Sequence, residues 1–141
     1  MAMHNERIKL SSGPHNYTIY QRRHLLDYAA RWCKTHFGIN GRKKYAISYE
    51  CYSDPDDTYI GYYDQAANRI HMNLDQVITI KGLLATYIHE YQHSLQATRK
   101  HYWRLAKRFG YLDHPYEVHA RSHERYFRHM INDYRKAYPN R

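Results

Sequence analysis

Cysteine is scarce in this chain: two residues, Cys33 and Cys51, in 141. Two thiols cannot build a disulfide framework, and the absence of any Cys-x-x-Cys pair removes zinc-ribbon and thioredoxin-like chemistry. Aliphatic residues are also few. Leu, Ile, Val and Phe number nine, ten, two and three, which is 24 residues or about 17%. That level, with a formal charge of +9, is the composition of many disordered chains. No window approaches 18 apolar residues, so no membrane-spanning helix is expected. The opening MAMHNERIKL has no apolar segment of the secretory type, so the expected location is the cytoplasm.

What is present offsets the aliphatic deficit. Seventeen Tyr, two Trp and four Met supply apolar area, and rings bury large surfaces while keeping one polar atom hydrogen-bonded. The expected core is therefore aromatic and partly polar. Lys and Arg total 22 against 13 acids, with 12 His. This balance suits an acidic or nucleic-acid partner, although charge speaks to association rather than fold.

The length suits one domain. Residues 1–16 are polar, contain Ser11-Ser12-Gly13-Pro14 and read as a loose arm ahead of a single domain over 17–141. Leu25, Tyr28, Ala29, Trp32 and Phe37 recur at helical spacing from Thr18, and Gly38 and Gly41 end that helix. Lys44–Tyr52, Thr58–Tyr63 and Arg69–Asn73 read as three short strands, parted by turns at Asp54-Pro55-Asp56-Asp57 and Asp64–Asn68. Val77, Ile80, Leu84, Ile88, Tyr91 and Leu95 form a long helical stripe, which runs on or resumes to Phe109 before Gly110. Asp113-His114-Pro115 opens a last helix to about residue 137. The fold class is α+β: an N-terminal helix, a small three-stranded sheet, a long central helix and a C-terminal helix.

The sharpest feature is His89-Glu90-Tyr91-Gln92-His93, an HExxH. On a helix, positions i and i+4 lie about 40° apart, so both imidazoles can reach one metal ion with the Glu beside them as general base. In a chain this rich in His the string arises by chance roughly 3–4% of the time. The helical context therefore carries the expectation: an apolar stripe flanks the motif, His89, His93 and Gln96 share the neighbouring face, and Gly82 on that face permits close approach. The bland alternative is a polar helix face that happens to carry these residues.

A catalytic zinc takes three protein ligands, and His101, His114, Glu117, His119 and His123 lie downstream. Glu117 leads. Its face of the last helix continues through Ala120, Arg121 and Glu124, and Ala120 allows close packing. His119 and His123 point about 200° and 240° away from it. Arg121 and Glu124 read as a solvated pair more readily than as partners of the ligands. His71 reads as an exposed strand residue, Tyr116 and Tyr126 as candidate oxyanion donors. Arg99, Lys100, Arg104, Lys107 and Arg108, interleaved with Tyr102 and Trp103, read first as a solvated helix face and second as a surface for phosphates and bases.

Gly61-Tyr62-Tyr63-Asp64, Arg69-Ile70-His71-Met72-Asn73, the HExxH and Pro115-Tyr116-Glu117-Val118-His119-Ala120 together resemble the small gluzincin-type zinc metallopeptidases, especially the minimal members called minigluzincins. The resemblance covers roughly residues 45–124. It implies zinc held by His89, His93 and Glu117, with Glu90 as catalytic base in peptide hydrolysis. It also implies that Arg69–Asn73 is a sheet edge at the cleft, along which a protein or peptide substrate pairs. A rival resemblance is to SprT-like DNA-associated proteases, whose His-Gly pair in the third-ligand region is missing here. A third possibility is a basic nucleic-acid-binding module with an incidental metal site.

Overall fold

The structure, a computed structural model, describes residues 3–4, 19–76, 79–96 and 99–139. In chain order its elements are β1 (Met3–His4), α1 (Ile19–Phe37), β2 (Ser48–Tyr52), β3 (Tyr59–Asp64), β4 (Arg69–Asn73), α2 (Ile80–Leu95), α3 (Arg99–Phe109), α4 (Pro115–His123), a single 3-10 turn (Glu124–Tyr126) and α5 (Phe127–Ala137). This is the α+β order expected. Gly38 and Gly110 end α1 and α3 at positive φ. No helix among the described residues is long and apolar enough to cross a membrane.

Several boundaries differ, each for a local reason. β2 starts at Ser48 rather than Lys44, because the Tyr45 carbonyl accepts from the Asn68 side chain (2.8 Å) instead of a neighbouring strand. The stripe that seemed to begin at Val77 becomes a helix only at Ile80; Thr79 caps it by accepting from the Gly82 N–H (2.9 Å). Val77 itself lies outside the described residues. Gly82 serves this capping turn: a Cβ there would meet only the Thr79 hydroxyl. The last helix is divided by the 3-10 turn into α4 and α5.

The sheet corrects one expectation. Its strand order is β1-β3-β4-β2, with β4 antiparallel to β3 and parallel to β2. Arg69–Asn73 is thus an interior strand with both neighbours paired, not a free edge. The physical reason is burial: Ile70 and Met72 are wholly enclosed under α2, the position of a central strand. Most of the arm over residues 1–16 lies outside the described residues. Its only described residues, Met3 and His4, pair antiparallel with the outer edge of β3.

α2 is the central element, touching α1, β3, β4, α4, the 3-10 turn and α5. All residues from Leu83 to Ser94 are buried, polar ones included. β3 approaches it so closely that a Cβ on Gly61 would lie 2.8 Å from the His71 carbonyl and 3.1 Å from Thr86 Cγ2. The core is aromatic as expected, with Tyr63, Tyr87, Tyr91 and Tyr134 buried in it. Several polar atoms of this core are paired across elements. Trp32 donates to Asp133 (2.8 Å), His24 bonds the Tyr134 hydroxyl (2.8 Å), and Tyr63 donates to Asn68 (2.6 Å).

Candidate metal centre

The HExxH lies in the second half of α2, where tertiary packing encloses it. His89 is 1% exposed, His93 3%, and Glu90 and Glu117 0%. A solvated polar face is therefore not what this motif forms. α4 crosses α2 with Ala120 buried between them, and its first turn delivers Glu117 to the two imidazoles. Glu117 Oε1 stands 3.0 Å from His89 Nε2 and 3.1 Å from His93 Nε2. Donors bound at about 2.0–2.1 Å to one tetrahedral zinc ion stand about 3.3 Å from each other, so the carboxylate oxygen sits at nearly that separation from each imidazole.

The outer nitrogens define what the inner ones can do. His89 Nδ1 faces Glu124 Oε2 at 2.8 Å. His93 Nδ1 faces Gln96 Oε1 at 2.7 Å. The Gln96 amide is oriented by its own donation to the Tyr116 carbonyl (3.0 Å), which leaves its oxygen as acceptor. Both partners accept, so both Nδ1 atoms carry hydrogen, and both Nε2 atoms face one carboxylate oxygen, where each either donates a proton or gives its lone pair to a metal ion. Such a convergence needs positive charge at its centre, from protons or from a metal ion. Outer partners that orient ligating imidazoles in this way are typical of metal sites.

The titration shifts express the same demand. For His89, burial works downward, but hydrogen bonds with Glu117 and Glu124 and the charge of Glu90 outweigh it and bring the imidazole to about 9. Burial would raise Glu117, yet hydrogen bonds from both imidazoles hold its carboxyl well below the usual range. Burial pushes Glu90 up to about 8 against the lowering charge of His89.

Glu90 has neither oxygen hydrogen-bonded. Two neutral groups of α2, Thr86 Oγ1 and Gln92 Nε2, share that state, but an unpartnered carboxylate is far more costly to bury than either. His89, Glu90 and His93 bring one donor atom each within 4.8 Å of one another, and the group could hold a metal ion. Of the two carboxylates, Glu117 has the better claim to a ligand position, since one of its oxygens already touches both Nε2 atoms. Glu90 is left beside the cluster with free oxygens, the state suited to a proton acceptor.

The other downstream candidates are elsewhere. His114 caps α4, accepting from the Tyr116 N–H (3.0 Å) and donating to the Tyr102 carbonyl (2.8 Å). His119 and His123 contact each other on the outer side of α4, and His101 stacks on Tyr116. His71 lies on the sheet face opposite Ile70 and Met72, stacked on Tyr62 at 4.6 Å. Glu124 corrects the solvated-pair expectation, since it orients His89. Arg121 instead donates to the Leu112 carbonyl. Tyr102, singled out in the sequence only as part of a basic stretch, donates its hydroxyl to Glu117 Oε2 (3.0 Å) and stacks on His114 at 4.0 Å. Tyr126 packs on Phe37 and His123. The signal that could have found Tyr102 is spatial, because α3 must fold back over α4 before its ring reaches the cluster. Compared with models of known protein families, with curated proteins and with solved structures, the chain matches none.

Proposed function

We propose that the protein is a zinc-dependent peptidase in which His89, His93 and Glu117 hold the ion and Glu90 is the general base. The observation that carries this is the convergence of two Nε2 atoms on one buried carboxylate oxygen, with both Nδ1 atoms tied to acceptors. A set of two His and one Glu suits zinc. Zinc bound by such residues acts as a Lewis acid toward a carbonyl and lowers the pKa of water to about 7.

The chain's own residues do the rest. Glu90 accepts a proton at its free carboxylate and returns it to the leaving amine. Its proton affinity, raised by burial, favours that return, and a nearby cation draws it back toward neutrality. Glu124 and Gln96 hold the two rings so that Nε2 faces inward. Tyr102 holds Glu117 Oε2, which leaves Oε1 for the imidazoles. Burial of the whole set excludes bulk water and strengthens each electrostatic contact.

Two measurements test the proposal. Purified protein should carry one zinc per chain by mass spectrometry, and Glu117→Ala should weaken zinc binding at least about 100-fold. Glu90→Gln should keep the zinc and lose peptide hydrolysis. Zinc-free wild-type protein that takes up none on titration overturns the proposal. The exposed cations Arg104, Lys107 and Arg108 on α3 favour one second reading, nucleic-acid binding, whose mark is affinity falling steeply with salt.

A further inference from the structure

A cavity of about 260 Å³ opens between the turn after β3 and the start of α3. Its aromatic walls are Tyr62, Tyr63, Tyr102 and Trp103. We infer that this cavity receives one aromatic side chain of a peptide substrate and so selects where the chain is cut. The inference rests on the peptidase reading.

Four observations lead to it. The Tyr102 ring lines the cavity while its hydroxyl reaches Glu117 Oε2 at 3.0 Å. One side chain therefore joins the cavity to the candidate metal centre, and an occupant of the cavity lies one residue from the cluster. Second, the volume is below the roughly 300–1,000 Å³ of sites for whole drug-sized ligands, the scale of a single large side chain. Third, Trp103 is 54% and Tyr62 38% exposed, neighbouring rings left open on a polar surface, a mark of binding sites. Fourth, the charges present disfavour a cationic occupant. The Lys43 ammonium already lies 5.5 Å over the Tyr63 ring. The one carboxylate at the rim, Asp64, accepts from the Ala66 and Ala67 N–H groups (3.0 and 3.3 Å). The net charge of +9 repels cations at longer range. An uncharged flat ring packing on the exposed Trp103 ring is the occupant that remains.

The test uses zinc-loaded protein and quenched fluorogenic peptides that differ at one position flanking the cleaved bond. Phe or Tyr at one such position should raise kcat/KM about five- to tenfold over Ala. Trp103→Ala should bring that preference within about twofold while leaving the zinc content unchanged. Cleavage without aromatic preference at any position overturns the pocket and leaves the peptidase reading standing. A second measurement is independent of catalysis: the indole resonance of Trp103 titrated with N-acetyl-phenylalanine amide, N-acetyl-alanine amide and a short oligothymidine. A shift that saturates with the phenylalanine amide alone supports the pocket even if no peptide is cut, in which case only the peptidase reading fails. Tighter binding of the oligothymidine to that ring overturns the assignment in favour of a nucleobase.

Discussion

Each of the two imidazoles in the cluster has its Nδ1 held by one outer partner, so those partners carry testable weight. Glu124→Gln keeps the shape but weakens the hold on His89, and zinc affinity is expected to fall about 10- to 100-fold. Tyr102→Phe releases Glu117 Oε2 and should give a similar loss, read by competition with a chromogenic chelator; unchanged affinity in both variants would show that the outer contacts do not tune the site. Chelated protein has its own pH signature. Glu90 rises on folding from 4.5 to about 8, so its burial destabilises the fold progressively between those values. His89 rises from 6.5 to about 9, and the stability it contributes is present below 6.5 and lost as pH rises through 9. The two act in the same direction. The Tm of chelated protein should fall from about pH 5 to about pH 9, less steeply in Glu90→Gln. A flat profile in wild type would contradict the burial of these groups.

Among the elements, α2 and α4 carry the site and β3 positions it. The first turn of α4 is organised by His114, which caps the helix, bonds the Tyr102 carbonyl and stacks on its ring. His114→Ala removes all three contacts and is expected to lower stability by about 2 kcal/mol, with zinc affinity falling alongside because Glu117 and Tyr102 both lose support. β3 is pinned to α2 by Gly61. Gly61→Ala forces a methyl against a backbone oxygen and should cost on the order of 1–3 kcal/mol, seen as a lowered denaturation midpoint. These helices and strands were legible in the sequence because periodicity, the Gly stops and Pro115 act locally. The division of the last helix and the late start of β2 were not, since each depends on contacts made by residues distant in the chain.

At the scale of the molecule, β3 packs on α2, and its side away from β4 is paired with Met3–His4. An extended substrate adding to that edge competes with this pairing. Removal of residues 1–16 is therefore expected to raise kcat/KM severalfold on a fluorogenic peptide, with zinc content unchanged. Equal activity in the two forms would place the substrate elsewhere. The aromatic core answers the disorder-like composition: rings from α1, the sheet, α2 and α5 meet, and several of their polar atoms bond across elements, so a chain with few aliphatic residues still encloses α2 from Leu83 to Ser94.

The amino-acid sequence by itself determined the α+β order and the helix that carries His89, Glu90 and His93, because helical spacing places i and i+4 together, and it put Glu117 first among the partners because Ala120 on the same helical face allows close packing. Tertiary structure alone decided that β4 is interior, that the motif is buried rather than solvated, and that Glu124, Gln96 and Tyr102 surround the cluster. Those outcomes depend on which elements pack against α2, and contacts between residues far apart in the chain leave no periodic trace in it.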